Sequence, residues 1–165
     1  MFTSRRTVPF GPDHVFDVAT RMSDLGWLRL WCPTRDVDPG ARLGPAVSVE
    51  LADRAGVVEP YTLCVTEFSE AGRRFRLRAD EVGFDGTLQV LAKPGGATVT
   101  WTAEHRPPGG TLVGKVGTGL VRRLLPAAYR DLETKLLQAE LAGLERRCRA
   151  LAAGRNRTRD LPLTG

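Results

Sequence analysis

The pattern that most constrains the fold of this chain is a change in the spacing of its apolar residues near residue 106. Before that point, from about residue 31, apolar and polar side chains alternate, as they do in β-strands that bury one face. Beyond segment 106–110, which is rich in proline and glycine, apolar residues recur every three or four positions to about residue 153. The sequence therefore predicts an α+β domain in which a long C-terminal helix covers one face of a curved antiparallel sheet.

About seven strands are predicted, of which the first covers residues 3–10 and another covers residues 31–40. Turns rich in glycine separate the later strands. Arg74, Arg76 and Arg78 lie out of phase with the apolar residues of their strand, so they are expected to face solvent. The apolar residues of the four strands with the clearest alternation are Val47, Val49 and Leu51; Tyr61, Leu63 and Val65; Phe75, Leu77 and Ala79; and Val99, Trp101 and Ala103.

Two short helices are predicted between the first strand and the rest of the sheet. Pro12-Asp13 begins a helix that ends near Thr20, because proline tolerates the first helical turn and an early carboxylate favours the positive end of the helix. Ser23-Asp24 is a suitable cap for a second short helical segment. Pro33 prevents that segment from continuing, because it lacks the backbone donor that a helix needs.

The long C-terminal helix carries two related apolar stripes. Pro126 removes a backbone donor and crowds the preceding turn, so it is expected to kink or divide the helical region. Such stripes are typical of a helix that packs one side against a core. The first stripe follows a four-three-four-three spacing through Leu137, Leu141, Leu144, Cys148 and Leu151, and the second continues it upstream through Leu125, Tyr129, Leu132 and Leu136.

A chain of 165 residues fits a single domain. Residues 1–153 are predicted to form that domain, and residues 154–165 to form a flexible basic tail because they lack a sustained apolar period. No apolar signal segment follows the N-terminus, and no stretch approaches about 18 apolar residues, so a cytoplasmic location is expected. The three cysteines fit no metal-ligand spacing, and neither a metal nor a cofactor is indicated.

The positive charge of the chain is concentrated near its end. The formal net charge is +5, and the arginines of residues 146–159 fit a solvated helix terminus, where cations complement the helix dipole. A basic interaction module built on the same residues is the alternative, and it would bind a nucleic acid or an anionic membrane surface. Nucleic-acid binding is not expected, whereas peripheral membrane contact and the choice between monomer and homodimer stay open.

Several segments resemble a known family in their residues and order. Val8–Ala19 is similar to a strand that runs into a proline turn and an apolar helix, and Asp24–Leu28 to a short second helix that ends in tryptophan. Val65–Phe68 and Arg73–Phe75 resemble consecutive central strands, and Leu137–Arg147 an amphipathic helix end. Together they resemble the helix-grip fold of the START-like superfamily, particularly its bacterial polyketide cyclase/dehydrase and lipid-transport branch, over residues 3–152.

The resemblance implies a cavity between sheet and helix that accommodates hydrophobic ligands such as lipids, polyketides or isoprenoid quinones. Taken alone, an alternating apolar face also fits a solid core, so the pattern leaves both interpretations open. The leading functional hypothesis is binding of a hydrophobic small molecule. The residues expected to line its site are Trp27, Trp31, Tyr61, Leu63, Phe75, Leu77, Leu88, Val90, Val99, Trp101, Leu120, Leu124 and Tyr129.

The alternative hypothesis is a polyketide cyclase or aromatase, as some members of the superfamily are. Such an enzyme needs polar groups inside an apolar pocket, to polarise a ketone and to move a proton from the adjacent carbon. Tyr61, His105 and Glu59 are the candidates, because His105 shares the parity of Trp101 and Glu59 that of Tyr61. Exposed strand ends also explain His105 and Glu59. Motifs of serine hydrolases, phosphate loops, zinc proteases and dinucleotide-binding enzymes do not occur in the sequence.

Overall fold

The computed structural model of the chain describes residues 1–52, 60–105 and 126–159, except for the side chains of residue 105 and of residues 155–159. Helices and strands account for most of this part. In chain order they are β1 (Phe2–Val8), α1 (Pro12–Thr20), a 3₁₀ helix (Met22–Trp27), β2 (Ser48–Leu51), β3 (Tyr61–Ser69), β4 (Arg74–Ala79), β5 (Phe84–Lys93), β6 (Gly96–His105) and α2 (Pro126–Arg159).

The strands form one curved, open sheet with antiparallel pairing throughout and the order β1-β6-β5-β4-β3-β2. Its register places Phe75 opposite Leu88, and Leu88 opposite Trp101. Because side chains alternate between the two faces of a strand, these three residues share the inner face. The sheet, the long C-terminal helix and the short early helices confirm the predicted helix-grip fold.

Helix α1 has the predicted bounds and closes one end of the interior. Pro12 occupies its first turn together with Asp13, as proline's fixed backbone angle favours. Its buried side carries Val15, Phe16 and Val18. The ring of Phe16 lies against strands β3 and β4, which fixes the helix over that end of the sheet.

The second short helix forms as one 3₁₀ segment, whose N-terminal cap is Arg21 without a side-chain hydrogen bond, in place of the expected Ser23-Asp24. It packs on α2. A Cβ added to Gly143 of α2 would lie 3.4 Å from both Cα and Cβ of Trp27, so the missing side chain at this position allows a close approach. Asp24 faces Arg147 of α2 at 3.9 Å, at the rim of the same contact.

The strand predicted at residues 31–40 is wrong, so the described residues contain six strands where about seven were expected. In place of a strand, an isolated bridge from Pro33 to Leu51 joins this segment to the sheet. Pro33 and Pro39 each lack the N–H that a ladder requires. The side chain of Asp38 accepts a hydrogen bond from the Gly40 N–H at 2.8 Å, which stabilises a turn there.

Helix α2 buries the downstream stripe of the prediction, including Leu137, Leu141 and Leu144. The upstream stripe is wrong at Leu132, which is 55% exposed, whereas Glu133 beside it is 5% exposed. The helix also continues beyond residue 153, where the sequence pattern placed its end, as far as Arg159. Leu125 and the helical region predicted before Pro126 lie outside the described residues. Among the helices described, none is both long and apolar enough to cross a membrane.

Candidate functional site

Ten of the predicted lining residues belong to one hydrophobic core, and whether they line a ligand site stays a prediction. Tyr129 is half-buried and meets the ring of Phe2 edge-on, with ring centres 5.7 Å apart. Leu120 and Leu124 lie outside the described residues. The predicted lining residues that are buried are Trp27, Trp31, Tyr61, Leu63, Phe75, Leu77, Leu88, Val90, Val99 and Trp101.

Trp101 occupies the centre of this interior. Its indole lies over Gly86 of the neighbouring strand, because a Cβ added to Gly86 would be only 2.5 Å from Cη2 of Trp101 and 2.7 Å from Cζ of Phe84. Trp27, at the end of the 3₁₀ helix, meets Trp101 edge-on with a ring-centre distance of 5.5 Å and an angle of 77°. Edge-to-face geometry of this kind is favourable for aromatic pairs. The missing side chain at Gly86 therefore allows the indole of Trp101 to lie where it contacts Trp27.

Glu140 brings a carboxyl group into the same place from the inner face of α2. Its Oε2 accepts a hydrogen bond from Nε1 of Trp101 at 2.7 Å, and its Oε1 accepts one from the backbone N–H of Arg29 at 3.0 Å. The residue is 6% exposed. Glu140 thus connects the long helix, the sheet and the segment after the 3₁₀ helix, and we call Trp27, Trp101 and Glu140 the indole–carboxylate cluster.

Burial raises the pKa of the Glu140 carboxyl above its ordinary value, because removal from water disfavours the charged form. The hydrogen bonds from Arg29 and Trp101 and the positive charge of Arg29 oppose this shift, and the nearby charge of Glu133 adds to it. Glu133 is itself buried, two helical turns upstream on the same side of α2. A carboxyl group that keeps its proton to higher pH can donate a hydrogen bond or a proton to a bound molecule.

Trp27 contributes a polar group of a different kind. Its indole nitrogen is buried and has no hydrogen-bond partner within the described parts of the chain. Buried N–H groups are almost always paired in folded proteins. The indole–carboxylate cluster therefore combines one satisfied indole, one unsatisfied indole and one carboxyl group in apolar surroundings.

Of the three predicted catalytic residues, the described structure includes the side chain of Tyr61 alone, so a catalytic arrangement of the three stays a prediction. The hydroxyl of Tyr61 is buried and donates to the backbone oxygen of Leu30 at 2.6 Å. His105 is opposite Phe84 in the pairing of β5 with β6, and its side chain lies outside the description. Glu59 lies outside the described residues altogether.

Sequence reasoning missed Glu133 and Glu140, although a signal was present. Moving four residues upstream from Leu137 reaches Glu133, and moving three residues downstream reaches Glu140. Both glutamates therefore fall within the spacing of the apolar stripe, where an acidic residue is out of place. An acid at a core position of an amphipathic helix was the available indication of a buried carboxyl group.

The described structure contains other titratable groups, among them Cys148 and the arginines near the end of α2. No group of three or more histidine, cysteine, aspartate or glutamate side chains in residues 1–52, 60–105 and 126–154 is arranged to hold a metal ion. Burial raises the pKa of the Cys148 thiol to about 12, so this cysteine behaves as a core residue. Within the predicted basic module, Arg149 pairs with Glu145 at 2.9 Å and Arg147 approaches Asp24. The module itself stays a prediction.

Comparison with solved structures reveals the same fold in other proteins. TTHA0849 from Thermus thermophilus is 23% identical, with a TM-score of 0.55, and the match covers 91% of this chain and 97% of that one. Protein BH1534 from Bacillus halodurans is 14% identical, with a TM-score of 0.62, and coverage of 89% and 95%. Ara h 8.0201 is 14% identical, with a TM-score of 0.52, and coverage of 90% and 97%. At these identities the similarity shows the fold alone.

A search of curated proteins found no match to this chain. Its sequence does match the profile of a family described as "Polyketide cyclase / dehydrase and lipid transport", and the match runs over residues 1–148. That range includes every element from β1 to the buried stripe of α2 and contains the whole indole–carboxylate cluster. The chain therefore belongs to the polyketide cyclase/dehydrase and lipid transport family.

Proposed function

We propose that the chain binds a hydrophobic small molecule, such as a lipid, a polyketide or an isoprenoid-like compound, between the inner face of the sheet and α2. The observation that carries this proposal is the indole–carboxylate cluster, which places polar groups inside an otherwise apolar interior. Ligand sites commonly combine aromatic walls with a few polar groups that orient the ligand. Membership of the family supports the same role. A cytoplasmic location is part of the proposal.

Two substitutions on β6 test whether the interior holds space for a ligand. Ala103 is buried on the inner face, and Thr100 points to the other face of the same strand. Ala103→Leu enlarges a side chain within the interior, whereas Thr100→Leu is the matched control outside it. If vacant space is present, we expect Ala103→Leu to fold with a stability loss below about 1 kcal/mol and to lose the ligand, because the new side chain occupies its place.

Native mass spectrometry and solvent extraction of the purified protein measure this outcome. Wild type and Thr100→Leu should both carry an apolar compound of the same mass, and Ala103→Leu should carry none. An Ala103→Leu variant that loses about 1–3 kcal/mol of unfolding free energy, combined with a wild type that binds nothing, indicates a solid core and contradicts the proposal.

A second candidate function is cyclisation of a bound polyketide, and Glu140 is the observation that favours it. A carboxyl group with a raised pKa next to two indoles is a suitable donor to the oxygen of a ketone. Glu140→Gln removes the proton but keeps the size of the side chain. We expect turnover of a poly-β-ketone thioester to fall at least about 100-fold in Glu140→Gln. Turnover is also measured in Tyr61→Phe, because Tyr61 is the catalytic candidate predicted from the sequence. Unchanged turnover in Glu140→Gln excludes Glu140 as the acid.

A further inference from the structure

The unpaired N–H of Trp27 indicates which chemical group the ligand contains. The side chain is 4% exposed and its nitrogen has no hydrogen-bond partner within the described residues. A donor that leaves water without finding an acceptor destabilises the folded protein, which is why such groups are rare and call for an explanation. An acceptor supplied by a bound molecule would satisfy this donor.

Trp27 lies between α2 and Trp101, in the interior where the ligand is proposed to bind. The backbone and Cβ of Trp27 lie against Gly143 of α2, while its ring reaches Trp101 on the inner face of β6. The side chain therefore extends from the helix towards the sheet, through the interior. The other indole of the cluster is already engaged, since Nε1 of Trp101 donates to Glu140. Trp27 is thus the indole of this pair whose donor is left for a ligand.

The charges of the interior indicate which kind of acceptor fits. Among the described residues, the buried charged side chains are all acidic, namely Asp24, Glu133 and Glu140, and no lysine or arginine is buried with them. Asp24 has arginines nearby, and the half-buried Arg29 contributes its positive charge to the surroundings of Glu140. A ligand carboxylate would lie beside buried carboxyl groups in a low-dielectric space to which the described residues contribute no buried cation, which is unfavourable. A neutral acceptor avoids this penalty.

We propose that Trp27 donates a hydrogen bond to a neutral carbonyl oxygen, such as that of a ketone, ester or quinone, on the bound hydrophobic molecule. The site accordingly selects such ligands over hydrocarbons of the same shape and over carboxylate-headed lipids. This inference rests on the proposed function, because it requires a ligand between the sheet and α2.

Three probes of nearly equal shape test the inference: 2-acetylnaphthalene, 2-ethylnaphthalene and 2-naphthoic acid. They share one apolar body and differ in carrying a neutral carbonyl, no acceptor, or a carboxylate at pH 7. Titration calorimetry of the full chain gives the three dissociation constants. We expect the ketone to bind about tenfold more tightly than the hydrocarbon, as one buried hydrogen bond provides, and the carboxylate to bind most weakly.

Trp27→Phe removes the donor and keeps an aromatic ring at that position. In this variant the ketone and the hydrocarbon should bind with equal affinity. The comparison uses the ratio of the two affinities within each protein, so a general change in affinity caused by the smaller ring does not affect it, and urea denaturation verifies that the variant is folded. An independent measurement uses the wild type alone: the indole N–H signal of Trp27 in a ¹⁵N-resolved NMR spectrum should move downfield with the ketone and not with the hydrocarbon.

The possible failures are distinguishable. Equal affinities of ketone and hydrocarbon for the wild type, without a shift of the Trp27 signal, overturn the inference but leave the proposed function in place. A ketone preference that persists in Trp27→Phe assigns the donor elsewhere and contradicts the role of Trp27. Tightest binding of 2-naphthoic acid overturns the selection for a neutral group. Failure of all three probes to bind contradicts the inference together with the proposed function.

Discussion

The two parts of the interior differ in what they bury. Beneath α1, the buried side chains are apolar or paired: Phe16 packs against Phe68 and Phe75 with ring centres 5.8 and 6.1 Å apart, Leu144 and Cys148 are fully buried, and the buried hydroxyl of Thr20 donates to the backbone oxygen of Phe16. Around the indole–carboxylate cluster, a carboxyl group and an unpaired indole N–H are buried as well. Apolar burial stabilises the fold by itself, whereas buried polar groups oppose it unless they are paired. We therefore expect the region beneath α1, called the apolar end below, to provide most of the stability, and the indole–carboxylate cluster to serve function.

The largest expected effect is on the apolar end. Leu144→Ala removes a buried side chain and leaves a cavity, so we expect it to lower the free energy of unfolding by about 3 kcal/mol, measured by urea denaturation. Leu132→Ala is the matched control on the same helix, because Leu132 is exposed, and it should change stability by less than about 0.5 kcal/mol. A small loss in Leu144→Ala would remove the distinction between the two regions.

An intermediate effect is expected where the sheet meets the cluster. Gly86→Ala places a Cβ on the rings of Trp101 and Phe84, so we expect a loss of about 2 kcal/mol and a change in the near-ultraviolet circular dichroism of the tryptophans. Gly154→Ala is the control, since an added Cβ there meets nothing within 4 Å. A Gly86→Ala variant as stable as the wild type would show that Trp101 can move aside without cost.

The smallest expected effect is the contribution of Glu140 to the pH dependence of the free energy of unfolding. Its raised pKa means that the folded state holds this proton more tightly than the unfolded state does, so the contribution to stability declines as pH rises above about 4.5, the ordinary value. Glu140→Gln lacks this dependence. At low pH the variant should be about 1 kcal/mol less stable, because a glutamine cannot accept from both Arg29 and Trp101 without turning its amide against one of these donors.

The difference between the wild type and Glu140→Gln should therefore shrink as pH increases, since the wild type must then bury a charge. Urea denaturation of both proteins across pH 4–8 isolates this contribution from the other carboxyl groups, which the two proteins share. A difference that grows with pH would mean that Glu140 is stabilised as a carboxylate, and its assignment as a proton donor would be wrong.

The spacing of apolar residues and the position of proline predicted β6 and α1 correctly. Alternation in β6 placed Trp101 on the inner face because a strand exposes its two sides strictly in turn. Pro12 marked the start of α1, since its backbone angle and missing donor suit that position. The same reasoning wrongly predicted a strand at residues 31–40. Apolar and polar residues alternate there, but two prolines and a turn at Asp38 prevent a regular strand.

By itself, the sequence determined the order of the elements, the inner face of the sheet and the apolar half of α2, because these follow from local spacing and from the need to bury apolar surface. Only the tertiary structure decided that Glu140 meets Trp101 and Arg29, and that the N–H of Trp27 is buried without a partner among the described residues. Such pairings join residues that are far apart in the chain, so their hydrogen bonds and burial depend on how α2, the 3₁₀ helix and β6 converge. The spacing of residues within a single helix or strand does not predict how these elements come together.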